Sequence, residues 1–270
     1  MDIAAKKPGI FTRIIDIREC NDPWIVMVHG FTHNHTYFFR QVEEFQCDHR
    51  LFLVDLRGHG RSASIPGPYG PEEYADDILS VLDKTGIATI NFWGTHTGSA
   101  IGLVMALRRP RLFRSLILEG TFLPGFPMPR VGELITRARS MIREKGLQAA
   151  RDDWFDNADW FSHINRFPER CRVQEHRMMV NDFDGGPWLC DLEPRPVTLV
   201  ATQLSAIKQP VLVYNGAHDL DDFNKAALFL EKGLPAEKRE VIPDAGGFPA
   251  WENPDLVNRL VRFFLEGLAA

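Results

Sequence analysis

Cysteine is scarce in this chain. Cys20, Cys47, Cys171 and Cys190 are scattered over 270 positions with no C-x-x-C pair. That spacing excludes a disulfide framework and the familiar zinc patterns, and it reads as reduced thiols in a cytosolic protein. A basic excess is also missing. Lys+Arg number 31 against 36 Asp+Glu, a formal net charge of −5, so nucleic acid is not an expected partner. No apolar run reaches the roughly 18 residues that a bilayer span needs. The opening M-D-I-A-A-K-K-P-G lacks the apolar core of a secretory leader, so a cytoplasmic location with no membrane partner is expected. Internal repeats and low-complexity tracts are absent from the sequence.

What is present is the composition of a soluble globular chain, 44% hydrophobic, with a length that suits one α/β domain carrying an insertion. Phe11–Ile17, Trp24–His29, Leu51–Asp55, Ala88–Trp93 and Phe113–Glu119 read as strands. Tyr37–Cys47, Pro71–Lys84 and Thr97–Arg108 read as the helices between them, the second opened by a first-turn proline with Glu72 and Glu73 toward its positive end. After Glu119 the alternation stops. Gly120–Pro129 is rich in glycine and proline, and the stretch to about Leu204 is helical and aromatic. The rhythm returns with Val211–Asn215, Phe223–Gly233, Arg239–Ile242 and Pro254–Leu268. The expected fold is α/β, a mostly parallel doubly wound sheet. Residues 1–123 and 205–270 would form the core and 124–204 a helical lid over the carboxyl ends of the strands.

Five motifs fall in register on this frame. V-H-G-F occupies Val28–Phe31, and D-L-R-G-H-G-R-S occupies Asp55–Ser62. G-T-H-T-G spans Gly94–Gly98, V-L-V-Y-N-G-A-H-D spans Val211–Asp219, and I-P-D-A-G-G-F-P-A-W-E-N-P spans Ile242–Pro254. Together they resemble the α/β-hydrolase superfamily, and among its branches the 3-oxoadipate enol-lactonase-like and small-ester hydrolases. The third motif has the outline of the nucleophile elbow, G-x-S-x-G.

Two substitutions set the chain apart from that pattern. The nucleophile serine is replaced by His96. The loop that normally delivers the triad histidine has Gly247 in its place. The triad acid position, Asp219, is kept. The resemblance implies an oxyanion hole from the backbone N–H groups of Phe31 and Thr97. Ser99 lies one turn into the helix and is not a displaced nucleophile.

An imidazole at a helix N-terminus favours the neutral ring, which is a base. His96 is therefore expected as general base, oriented by Asp219 directly or through one water. Glu119 at its strand end is an alternative acid. His218 is an alternative relay, although neighbours on an extended segment point apart and Asp219 is favoured to face the pocket. His33 and His35 at the pocket mouth, and Trp154, Trp160 and Trp188 of the lid, are candidate substrate contacts. His29 and His59 read as structural. No metal and no cofactor are implied. The partner is expected to be a small molecule, apolar or aromatic, bound by a monomer or homodimer.

Three functions follow. The first is an atypical hydrolase of a small ester, lactone or activated C–C bond. The second is a lyase, decarboxylase or cofactor-free oxygenase using the same base and oxyanion hole. The third is a binding protein that has lost its chemistry.

Overall fold

The computed structural model describes residues 2–3, 9–17, 23–234 and 237–268. Cys20 lies outside them; Cys47, Cys171 and Cys190 are free thiols. Eight strands form one sheet: β1 (Asp2–Ile3), β2 (Thr12–Ile15), β3 (Trp24–Val28), β4 (Leu51–Val54), β5 (Ile90–Thr95), β6 (Phe113–Glu119), β7 (Val211–Gly216) and β8 (Glu237–Ile242). Their order is β1-β2-β4-β3-β5-β6-β7-β8. The pairs β1–β2 and β2–β4 are antiparallel and all others are parallel. This is the α/β-hydrolase architecture expected from the sequence.

The strands are apolar on both faces, as a sheet covered on both sides must be. Side chains alternate between two cores. Ile25, Met27, Leu51 and Leu53 face one core, and Val26, Val28, Phe52 and Val54 face the other. Helix α1 (Phe39–Phe45) follows β3, α2 (Pro71–Thr85) follows β4, and α3 (Thr97–Arg108) follows β5. The α2 helix starts with Pro71 behind a Gly70 N-cap and stops where Gly86 turns left-handed at φ 69°, the proline-in, glycine-out asymmetry of a well-bounded helix.

Between β6 and β7 run α4 (Pro129–Lys145), α5 (Leu147–Asn157), α6 (Ser162–Arg166), α7 (Val173–Asn181) and α8 (Gly186–Leu189). The buried rings of this segment, Trp154, Phe155 and Trp188 on the helices and Trp160 and Phe161 in the turn between α5 and α6, join the Ile25/Met27 core. The returning segment is tied down by the acids that open α2. Glu72 accepts from the Thr198 amide and hydroxyl, and Glu73 pairs with Arg195. Helix α9 (Asp221–Gly233) follows β7; α10 (Pro249–Glu252) and α11 (Pro254–Gly267) close the chain. Element ends differ from the sequence reading by a few residues, where backbone bonds rather than side-chain pattern decide. One difference matters for the site: β5 runs on to Thr95 and pairs it with Glu119. Among the described residues no helix is long and apolar enough to cross a membrane.

Candidate active site

β5 ends at Thr95 and α3 begins at Thr97, so His96 alone turns the chain, at φ 47° and ψ −106°. A non-glycine residue is strained there. Its neighbours enforce the turn. A Cβ on Gly94 would stand 2.5 Å from the carbonyl carbon of Gly98, and a Cβ on Gly98 only 2.0 Å from the carbonyl oxygen of Val28. Glycine alone permits this approach of α3 to β3. The imidazole is thereby held at the carboxyl end of the sheet, 2% exposed. Ser99 is no substitute nucleophile, since its hydroxyl donates to the Gly94 carbonyl.

Both ring nitrogens of His96 are engaged. Nδ1 lies 3.1 Å from Thr95 Oγ1. The indole N–H of Trp160 donates to Nε2 over 3.2 Å. The rings of Phe223, Phe248 and Trp160 surround it, with centroids 4.9, 5.1 and 5.3 Å away. Burial pushes the His96 pKa down to about 3, with the Gly247 backbone opposing the shift. The ring is neutral at pH 7.

Trp160, in the segment between β6 and β7, packs against Gly247, the position where the sequence pattern implies a loop histidine. A Cβ on Gly247 would stand 2.7 Å from Trp160 Cδ1 and 3.0 Å from the Trp160 carbonyl oxygen. Trp160 was expected to touch a ligand; its indole N–H is also the hydrogen-bond partner of His96 Nε2. Asp219 is consequently not bonded to His96. Its Oδ2 accepts from Asn215 Nδ2 at 2.9 Å and its Oδ1 from the Leu220 amide at 2.8 Å. The two groups flank Gly120, where a Cβ would lie 2.8 Å from His96 Nε2 and 3.5 Å from Asp219 Oδ2. Burial raises the Asp219 carboxyl to about 8.

Glu119, the alternative acid, reaches the ring through Thr95. Its Oε1 accepts from Thr95 Oγ1 at 2.8 Å and from the Tyr37 hydroxyl at 2.5 Å, and its Oε2 from the Ala250 amide at 2.9 Å. Burial raises its pKa, and these donors pull against that shift. Sequence reasoning missed Thr95 and Tyr37. The available signal was Thr95's place beside the elbow residue, at the end of a strand that pairs with the one ending at Glu119.

The other candidates divide. A cavity of about 160 Å³ opens from His96 and Thr97, lined by Phe31, Tyr74, Phe122, Trp160 and Phe223 among others, with no Asp, Glu, Lys or Arg in its wall. Phe31 and Thr97, the expected oxyanion donors, both reach it. As first residue of α3, Thr97 has no intrahelical acceptor for its N–H. His33 and Trp154 border a crevice on another side of His96 that has no room for a water molecule. Trp188 is fully buried behind Phe31, with ring centroids 6.3 Å apart.

These three side chains support the loop rather than line the cavity. Trp154 Nε1 donates to Thr32 Oγ1 at 3.1 Å. His33 bonds the Phe31 carbonyl at 2.7 Å and His176 of α7 at 2.6 Å. His176 carried no sequence signal beyond its helical position. His35 is a loop brace, bonded to Asp55 Oδ1 at 2.8 Å. His218 is exposed and stacks on His163 with centroids 5.3 Å apart, so it is no relay. His29 and His59 are structural, bonded to backbone at Gly30 and Leu56 and at Arg57 respectively.

Among the described residues, His163, Cys171 and Glu252 bring potential metal-ligand atoms within 4.8 Å of one another. Their donors are already committed. Arg170 lies 2.7 Å from His163 Nε2, and Glu252 accepts from the Gly246 and Phe248 amides. That carboxylate braces the loop carrying Gly247, and burial raises it to about 7.

These shifts predict a dome of stability against pH. His29 is lowered to about 4, and His33, His59 and His96 to about 3, all by burial; His176 is lowered further. Imidazoles with depressed folded values contribute stability that is complete above their unfolded pKa near 6.5 and lost as pH falls below it. The raised carboxyls, Asp219 at about 8 and Glu252 at about 7, act oppositely. Their contribution is present in acid and lost as pH rises through the folded values. The melting temperature is expected to climb from about pH 5 to about pH 7 and to decline toward about pH 9. A flat profile across that range in calorimetry would show that these groups are solvated.

The sheet order, the strained turn after β5 and the helical insertion between β6 and β7 define a hydrolase-type scaffold. The chain belongs to the α/β hydrolase fold family, which it matches over residues 23–164. It is similar to 3-oxoadipate enol-lactonase 2 of Acinetobacter baylyi, 28% identical over 249 residues, covering 90% of this chain and 88% of that protein. It is also similar to the 2-hydroxy-6-oxononadienedioate/2-hydroxy-6-oxononatrienedioate hydrolase of Escherichia coli, 26% identical over 272 residues, with 93% and 90% covered. In three dimensions it resembles the enol-lactonase from Burkholderia xenovorans LB400, with a TM-score of 0.84 at 24% identity over 98% of this chain and 100% of that one.

Proposed function

We propose that this chain hydrolyses a small, uncharged, apolar or aromatic ester or lactone, using His96 as general base in place of a serine nucleophile. The enol-lactonase and the oxononadienedioate hydrolase among its relatives are named as hydrolytic enzymes, and one observation carries the finer reading. A neutral imidazole stands at the elbow, and the cavity that reaches it also reaches both expected oxyanion donors. Nε2 takes a proton from water as the hydroxide adds to the substrate carbonyl. The resulting oxyanion is held by the N–H groups of Phe31 and Thr97. Collapse expels the alcohol, which takes the proton back from the ring. Trp160 caps Nε2, so entry of the substrate must displace its N–H. Asp219 is the second titratable group beside the ring, across Gly120, rather than its hydrogen-bonded orienter. An uncharged substrate is favoured because a carboxylate buried in this cavity would meet no cation in its wall.

The test is hydrolysis of a neutral short-chain aryl ester. His96→Ala should lower kcat/KM by at least about a hundredfold, the usual span for a lost general base, and a serine-directed phosphonate should leave the chain unlabelled. Turnover that survives His96→Ala intact overturns the reading. The capped Nε2 supports one second reading, a binding protein on this fold. Ester analogues that bind equally well to both forms, with no turnover by either, would favour it.

A further inference from the structure

We propose that Thr95 and Glu119 fix the tautomer of His96, holding the proton on Nδ1 and leaving the Nε2 lone pair directed at the cavity. The inference rests on the reading of His96 as the base. It makes Thr95 a positioning residue and Glu119 the acid behind it, a different arrangement from the acid-on-histidine contact that the sequence pattern implied for Asp219.

The hydrogen bonds leave little freedom. Thr95 and Glu119 are register partners at the ends of β5 and β6, and both are 0% exposed. An ionised carboxylate only accepts, so the Thr95 hydroxyl proton points at Glu119 Oε1, 2.8 Å away. The hydroxyl oxygen then faces His96 Nδ1 at 3.1 Å with only lone pairs to offer, so Nδ1 donates. From the other side, Trp160 Nε1 approaches Nε2 at 3.2 Å. An indole nitrogen only donates, so Nε2 accepts. Two independent contacts, one from the sheet and one from the lid, demand the same tautomer.

The competing arrangement starts from a protonated Glu119 donating to Thr95, whose hydroxyl would then donate to Nδ1. That would place a proton on Nε2, directly against the indole N–H. Burial favours the protonated Glu119, but the hydrogen bonds run the other way: the Tyr37 and Thr95 hydroxyls and the Ala250 amide all donate to its two oxygens, as an ionised carboxylate requires. The relay also serves the reaction. When Nε2 takes a proton from water, positive charge spreads to Nδ1–H, and the Thr95 dipole and Glu119 charge lie on that side to offset it.

Long-range proton–nitrogen correlation on the full chain, labelled with 15N-histidine, reads the tautomer with no substrate present. It therefore succeeds or fails separately from the turnover assay of His96→Ala. His96→Gln identifies which of the histidine signals belongs to this ring. The expected spectrum shows a protonated Nδ1 and a bare Nε2. Thr95→Val keeps the shape and removes the hydroxyl. It should shift the ring toward the Nε2–H form and lower kcat roughly tenfold with KM little changed, as loss of a correctly poised base requires. Thr95→Ser should restore both the spectrum and kcat relative to the valine variant. A wild-type ring protonated on Nε2, or a Thr95→Val spectrum identical to wild type, overturns the proposal.

Discussion

Gly98→Ala is expected to destabilise the chain by at least about 4 kcal/mol, in the range reserved for severe backbone conflict. The added methyl would lie 2.0 Å from the Val28 carbonyl oxygen, 2.8 Å from its carbon and 2.9 Å from the His29 oxygen. All three are main-chain atoms of β3 and the loop after it, so no rotamer change relieves the overlap. The first turn of α3 must lift off the sheet, and it carries the elbow with it. Urea denaturation provides the measurement, with Gly132→Ala as its control. Gly132 lies in α4 with nothing within 4 Å of its added Cβ, so that change should stabilise by up to about 1 kcal/mol through helix propensity. A Gly98→Ala midpoint equal to wild type would mean that helix and strand do not approach as closely as described.

Glu119→Ala is expected to cost about 3 to 5 kcal/mol, since several buried donors would be left without an acceptor at roughly 1–3 kcal/mol each. The loss is larger than one hydrogen bond because the hydroxyls of Tyr37 and Thr95 and the amide of Ala250 would all lose their acceptor in a dry site. Glu119→Gln keeps the volume and one carbonyl acceptor and should cost about half as much. The same denaturation series separates them. Equal, small losses for the two variants would show that water replaces the carboxylate, and with it would fall the description of this site as closed.

The sheet was legible because strand and helix patterns alternate and because each motif sits at a strand's carboxyl end, where topology rather than side-chain detail decides position. That Asp219 rather than His218 turns inward was legible from the same alternation, since neighbours on extended chain face opposite ways. The partners of His96 were not legible. Which side chain fills the space beside Gly247 depends on how the lid packs. Trp160 is 64 residues from the elbow in sequence, and a buried tryptophan in a helical stretch carries no mark of where its N–H points. His33 and His35 show the same limit. They are two residues apart and chemically identical, yet one is clasped by the lid at His176 and the other by Asp55 at the sheet. Only the tertiary arrangement distinguishes them.

The clasp on residues 31–33 has a consequence for energetics. Trp154 holds Thr32, His176 holds His33, and Trp188 backs Phe31, so the amide of Phe31 is set by helices that belong to the cover and not to the sheet. If the Phe31 amide is the oxyanion donor proposed above, then by thermodynamic reciprocity a ligand that tightens these contacts strengthens the hold on a negatively charged oxygen by the same free energy with which that oxygen tightens the contacts. Affinity for a tetrahedral anion should therefore track these contacts, and loosening either clasp would weaken a site that neither side chain touches.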